Sequence, residues 1–311
     1  MIDSIPVNSQ IVMGTIFCIL VTASLITRQL QNKNPDKDFT ELKQRVNSWW
    51  FMAGLIMLVL AISTSIAILF FAILSFFALK EFLAIIGTRA SDRTIILWAY
   101  LAIPIQYYLV YIGWYGLFII FIPVYVFLFL PMRMVLIGET KAFVKSAAEL
   151  HWAMMLTVYC LSHLAYLIAL PELNTKSGAI GLVLYLLFMT QFNDVCQYIW
   201  GKKFGKHKIV PRVSPNKTWE GLVGAVISIM LISGVLAPFL TPLDFKMGLV
   251  AGLLISLAGF IGDIVISSVK RDLEIKDTGS LIPGHGGLLD RLDSLTYTAP
   301  LFFHFIYYLK F

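Results

Sequence analysis

Apolar runs long enough to cross a lipid bilayer dominate this chain. Eight stand at roughly 8–27, 94–112, 114–131, 150–170, 179–200, 221–241, 248–269 and 294–310. Each approaches the about 20 residues that a membrane-spanning helix needs. A ninth run, Trp49–Leu79, is 31 residues long, too long for one upright helix and short for two, with the polar group "STS" at 63–65 near its middle. Hydrophobic residues make up 59% of the 311 and charged residues only 14%, against about 45–50% and about 25% in a soluble domain. The expectation is an all-α polytopic membrane protein.

Positive charge resolves the ninth run. Segments 28–48, 80–93, 132–149, 201–219 and 270–293 hold 21 of the 24 Lys and Arg, and Lys176, Lys246 and Lys310 stand singly elsewhere. Short cytoplasmic loops collect such residues. If all five rich segments face the cytoplasm, 49–79 crosses twice with a turn near Ser63–Ser65. The count becomes ten spans, with both termini outside. A single integral membrane domain follows, with N-terminal helices over 1–150 and C-terminal helices over 151–311. Segment Ile11–Thr27 is expected to be a mature span, because no Lys or Arg precedes it as in a secretory signal.

The formal charge of +6 is read as basic cytoplasmic loops. Nucleic acid is not expected, since the loops lack the interleaved aromatics of RNA-binding modules. Cys18, Cys160 and Cys196 lie far apart in apolar segments and form no CxxC. They are expected to be buried thiols, with neither zinc site nor disulfide. His151, His163 and His304 are expected to be packed or interfacial. Gly248, Gly252, Ser256, Gly259 and Gly262 share a small-residue spacing that lets helices approach closely.

Two polar segments stand out. "GKKFGKHKIVPRVSPNKTWEG", Gly201 to Gly221, packs six Lys/Arg and His207 into a stretch punctuated by glycine and stiffened by Pro211 and Pro215. "SPNKTWEG" reads as a helix entry, with Lys217 and Thr218 at the mouth of the next span. Cations and hydroxyls there suit an anion, although the spacing is not that of a P-loop. A basic positive-inside loop is the alternative. The second segment is "KRDLEIKDTGSLIPGHGGLLDRLDS", Lys270 to Ser294. Just before it, Asp263 lies in an apolar run, where a carboxylate is costly. Asp290 and Asp293 are spaced i, i+3, on one face if a helix starts there. Carboxylates beside dense positive charge suit Mg²⁺, which takes one or two of them and completes its shell with water and phosphate. The alternative is salt bridges, such as Asp290 or Asp293 with Arg291 or Lys270. In "PGHGG" the backbone N–H groups are free to face a ligand, and His285 is open to three roles: phosphate contact, proton relay or plain loop residue. Together these residues suggest a membrane-embedded polyphosphate site.

"SSVKRDLEIKDTGSLIPGHGGLLDRLDS" resembles the signature of the phosphatidate cytidylyltransferases (CDP-diacylglycerol synthases), and "FGKHKIVPRVSPNKTWEG" resembles that family's second block. The similarity is dense over roughly 190–311; in the first half only "ALKEFLAI" at 78–85 hints at it. The resemblance implies transfer of a cytidylyl group from CTP to phosphatidate, giving CDP-diacylglycerol and pyrophosphate in phospholipid biosynthesis. It also implies dependence on Mg²⁺, with a second cation as an option, and a homodimer. The site would face the cytoplasm, of a bacterial inner membrane. By position, Lys217, Ser267, Lys270, Arg271, Lys276, Asp277, His285 and Arg291 would serve catalysis. Asp194, Lys206, His207, Lys208, Ser214 and Thr218 would bind substrate, and Asp263, Asp290 and Asp293 would hold metal. One departure is plain. Where the family often reads Ala-Asp-Thr/Ser-x-Ala-Tyr, this chain has "NDVCQY": Asp194 and Tyr198 match, while Asn193, Val195 and Gln197 do not. That leaves open another lipid phosphate as acceptor. Two other classes stand beside this one. A CTP-dependent lipid kinase of the dolichol-kinase type would release CDP. A transporter of an anionic substrate would show broken helices in two halves.

Overall fold

In the computed structural model, residues 5–34, 38–279 and 286–311 are described. Among them the regular elements are helices, and Lys208 and Thr218 form an isolated antiparallel bridge. In chain order the long helices are α1 (Val7–Lys33), α2 (Thr40–Ile62), α3 (Thr64–Ile86), α4 (Arg93–Tyr111), α5 (Tyr115–Val135), α6 (Phe143–Ala169), α7 (Gly178–Phe204), α8 (Trp219–Leu240), α9 (Phe245–Asp272) and α10 (Leu289–Lys310). Among the described residues, α1 to α9 contain stretches long and apolar enough to cross a membrane. α10 has the length, 22 residues, but carries Asp290, Arg291 and Asp293 at its start. Helices satisfy their backbone groups internally, which hydrocarbon demands. The chain is an all-α polytopic membrane protein.

The long run at 49–79 is divided where the polar triplet stands. Ser63 is extended (φ −168°, ψ 157°), and its hydroxyl accepts the Ile66 N–H at 3.2 Å, capping α3. Helix α2 starts earlier than the apolar run, at Thr40. Two helices hold a π-helical turn. The one at Phe121–Val126 includes Pro123, whose missing N–H already interrupts the hydrogen-bond ladder. The other is Met155–Tyr159 in α6.

Helices α7, α8, α9 and α10 pack against one another in sequence, and α10 and α3 both lie against the second half of α6. The small-residue ridge of α9 allows this. A Cβ at Gly252 would meet Ser233 and the Ile229 carbonyl of α8, and one at Gly262 would meet the Asp293 carbonyl of α10 at 2.5 Å. Close helix contact through small residues is the expected use of such a ridge. Helix α1 is the outlier, packed on α2 and more sparsely on α7 and α8, with Phe17, Ile19 and Leu25 exposed. Cys18, expected to be buried, is exposed on that helix; Cys160 is half-buried and Cys196 buried, all as free thiols. The reason is that an apolar helix in a membrane keeps much of its surface for lipid.

Hydrogen bonds sort the connections to two ends. Arg89, between α3 and α4, donates to the Lys141 carbonyl between α5 and α6. Arg271, closing α9, donates to the Val213 carbonyl between α7 and α8 at 3.2 Å. Glu81, near the end of α3, accepts from Leu288 N at 2.9 Å before α10. Four of the five basic segments therefore gather at one end. At the other, Asn8 N donates to the Lys176 carbonyl at 2.8 Å, and Asn174 Nδ2 to that of Thr241 at 3.0 Å.

Candidate active site at the basic end of the bundle

The basic segment after α7 folds back on itself. Ile209 N bonds the Lys217 carbonyl at 3.1 Å, and Trp219 N the His207 carbonyl at 3.0 Å. Glu220, in the first turn of α8, accepts from Lys206 N at 3.0 Å, His207 N at 3.2 Å and His207 Nδ1 at 2.6 Å. Thr218 caps α8 by accepting from Gly221 N at 3.1 Å. This fixed turn aims Lys217 across α8 towards α9 and α7. Its Nζ forms an ion pair with Asp263 and donates to Gln197 Oε1 at 2.8 Å. Ser267 Oγ donates to the other Asp263 oxygen at 3.2 Å.

Asp194 of α7 and Asp293 of α10 lie within electrostatic reach of Asp263 and of each other, with Arg291 beside them and Lys217 facing Asp194. Asp194 Oδ2 accepts from Ser294 Oγ at 3.4 Å, and Asp293 Oδ1 from Ser294 N at 2.7 Å. Three atoms here are buried and without a hydrogen-bond partner: Asp194 Oδ1, Gln197 Nε2 and Arg291 Nε. Buried polar atoms are normally paired, so each keeps capacity for one more contact. An orphaned carboxylate oxygen among like charges fits a cation. Among the described residues no three Asp, Glu, His or Cys side chains form a group that would hold a metal ion by themselves. One or two carboxylates completed by substrate phosphate remain the fitting arrangement.

Asp290 does something different. Its Oδ1 meets Lys270 Nζ at 2.7 Å. Its Oδ2 accepts from Thr278 N at 2.8 Å and Gly287 N at 2.9 Å, and lies 3.0 Å from Thr278 Oγ1, whose one proton goes to the nearer Glu81. Both oxygens are committed. Glu81 reaches over from α3 and accepts from Thr278 Oγ1 at 2.5 Å, Leu288 N at 2.9 Å and Leu289 N at 2.9 Å. Two carboxylates thus pin the N-terminus of α10 and the strand of chain ending α9, a placement that the helix dipole favours. Gly286 (φ +79°) and Gly287 sit between them: a Cβ at 286 would come 2.7 Å from Asp290 Oδ2, and one at 287 would collide with Glu81.

The structure therefore brings together Lys217, Ser267, Asp263, Asp293, Asp194 and Arg291. It sets Asp290 and Lys270 apart as a pair, the salt-bridge alternative that the sequence allowed. Arg271 joins the two basic segments, while Thr218 and His207 shape the loop. Lys206, Lys208, Lys276 and Asp277 are exposed around it, and Ser214 is half-buried in a turn. His285 lies outside the described residues. Position 150 falls inside α6, and the clasp joins residues from both sides of it. Sequence reasoning missed Glu81 and Thr278. The signal for Glu81 was available: a carboxylate inside the apolar α3 is costly unless a partner waits for it.

Taken together, these observations define an all-α polytopic membrane protein with a cluster of carboxylates and cations at the basic end of its bundle. The sequence pattern of the cytidylyltransferase family matches residues 43–309, and the chain belongs to that family, a family of nucleotidyltransferases. It is 44% identical over 296 residues to the uncharacterized protein YnbB of Escherichia coli (strain K12), covering 95% of this chain and 97% of that one. It is 36% identical over 156 residues to the phosphatidate cytidylyltransferase of Staphylococcus saprophyticus, covering 48% of this chain and 59% of that protein. With the same enzyme of Staphylococcus aureus (strain COL) the figures are 39% over 132 residues, 41% and 50%. The matched part is thus about half the length of these two enzymes.

Proposed function

We propose that this protein transfers the cytidylyl group of CTP to a lipid phosphate, phosphatidate or a close analogue, releasing pyrophosphate. The observation that carries the proposal is Lys217, held between Asp263 and Gln197 beside Asp194 and Asp293, with unpaired buried donors at Gln197 and Arg291. Such a group suits two phosphates and a cation. An oxygen of the lipid phosphate attacks the α-phosphorus of CTP, the bond to the β-phosphate oxygen breaks, and pyrophosphate leaves. The attacking oxygen is already ionised, so no strong base is required. Alignment and charge neutralisation carry the rate. Lys217 and Arg291 hold phosphate oxygens, and Ser267 orients Asp263. Asp263 and Asp293, with Asp194 at their edge, would hold Mg²⁺, which would neutralise the developing charge on phosphate oxygens. Asp290 is left to the clasp. The basic end faces the cytoplasm by the positive-inside rule, and the subunit works as a homodimer.

The test is purified protein with CTP, Mg²⁺ and a panel of lipid phosphates, with both products identified. Label in the α-phosphate of CTP should enter a liponucleotide, and γ-label should leave as pyrophosphate. Transfer of γ-label into lipid would make the protein a kinase.

A further inference from the structure

Gln197 stands where the resembling family often carries alanine. It is buried, 5% exposed, one turn after Asp194 on α7. Its amide orientation is fixed, because Lys217 Nζ can only donate, so the atom at 2.8 Å must be the oxygen. The Nε2 group is then turned away from Lys217 and has no partner. Arg291 Nε, buried beside Asp194, is a second donor without a partner. Each of these two buried N–H donors can still donate to one more oxygen, and a phosphate oxygen is an acceptor that also suits Lys217, the neighbour of Gln197.

We infer that Gln197 is a substrate-phosphate ligand of this enzyme, donating from Nε2 to a phosphate oxygen while its Oε1 holds Lys217 in place. An alanine at this position offers neither contact. The inference rests on the proposed cytidylyl transfer for its substrate, and the phosphate belongs either to the nucleotide or to the lipid.

Q197E and Q197A separate this role from a structural one. Glutamate keeps the shape and the oxygen that holds Lys217, but it removes the donor and sets a negative charge against the phosphate. If Gln197 only positions Lys217, Q197E behaves like wild type and Q197A is the damaged variant. If it binds phosphate, the order is reversed. KM should rise about tenfold in Q197A, which loses one hydrogen bond, and about a hundredfold in Q197E, which also sets a charge against the phosphate. Gel filtration and thermal melting in detergent confirm that both variants fold. Equilibrium binding of inorganic pyrophosphate and, separately, of short-chain phosphatidate shows which phosphate is involved: only one of the two should weaken. Equal binding of both probes by wild type and Q197E overturns the inference. Absence of cytidylyl transfer by the wild type would defeat the proposed function alone, because the binding comparison still decides the role of Gln197.

Discussion

Glu81 and Asp290 lie at the same end of the bundle as Asp194, Asp263 and Asp293, and both groups draw on more than one helix. Their surroundings differ. All four oxygens of the first pair have protein donors: Lys270, Thr278 and the N–H groups of Gly287, Leu288 and Leu289. In the second group Asp194 Oδ1 is buried with none, and three like charges share Lys217 and Arg291. A carboxylate saturated by its own protein has no capacity left for a ligand. One left short among its like keeps capacity for a proton or for a further cationic or donor partner. The first group ties helices together, and the second keeps unused bonding capacity, which is what the proposed function requires of it.

The largest effect should follow from Asp263→Asn. It removes one charge from the unsatisfied group and half the hold on Lys217. The turnover rate should fall on the order of 10²–10³-fold, the Mg²⁺ needed for half-maximal residual activity should rise, and the melting temperature should stay close to wild type. A large loss of stability with normal activity per folded molecule would break the comparison. Next comes Asp290→Asn, which leaves Lys270 unpaired where the two side chains are 3% and 17% exposed. Breaking such a pair costs about 3–5 kcal/mol, read as a lowered melting temperature in detergent, with the Mg²⁺ midpoint unchanged. A tenfold shift of that midpoint would restore Asp290 to the metal set expected from its spacing. Glu81→Gln should cost less, about 1–2 kcal/mol, because the amide retains one acceptor for the N–H groups of α10. Glu81→Ala should cost more, and equal losses would mean that the donors find water instead.

Much of this was legible in the sequence. Ten helices could be placed because hydrophobic length is a strong signal in a membrane, and Ser63 broke the long run where its hydroxyl could cap a helix. The proximity of Asp263 and Asp293 was legible too, because a carboxylate in an apolar helix is costly and persists where a partner or a ligand offsets that cost. What could not be read was the division of labour. The i, i+3 spacing of Asp290 and Asp293 placed them near one another but did not reveal that Glu81, some 200 residues earlier in the chain, shares donors with Asp290 and leaves Asp293 to the other group. Nor did the glutamine at 197 show in the sequence which of its amide atoms would be left unpaired. Both depend on how α3 and α7 approach the C-terminal helices, and helix neighbours in a bundle are not written in periodicity.

The smallest effect concerns a third saturated carboxylate, Asp92, in the short connection between α3 and α4. Arg89 donates to it from Nε at 2.7 Å and Nη2 at 2.8 Å, and Ser146 Oγ at 2.5 Å. Burial pushes its carboxyl up, but the Arg89 guanidinium and the hydroxyls of Ser146 and Ser91 outweigh that and hold it below the ordinary carboxylate range. A folded value below the unfolded one, about 3.9, means stability that is present above that value and lost as the pH falls through the folded one. Asp92→Asn should therefore be less stable than wild type at pH 7 by about 1–2 kcal/mol, with activity intact. The gap should begin to narrow as the pH falls below the unfolded value of about 3.9 and close only below the lowered folded value, where the wild-type carboxylate is itself protonated. Melting both proteins across that range in a detergent that tolerates acid measures it. A gap that stays constant with pH would mean that the charge of Asp92 contributes nothing, and that saturation by donors is a weaker guide to a structural carboxylate than the Glu81–Asp290 clasp suggests.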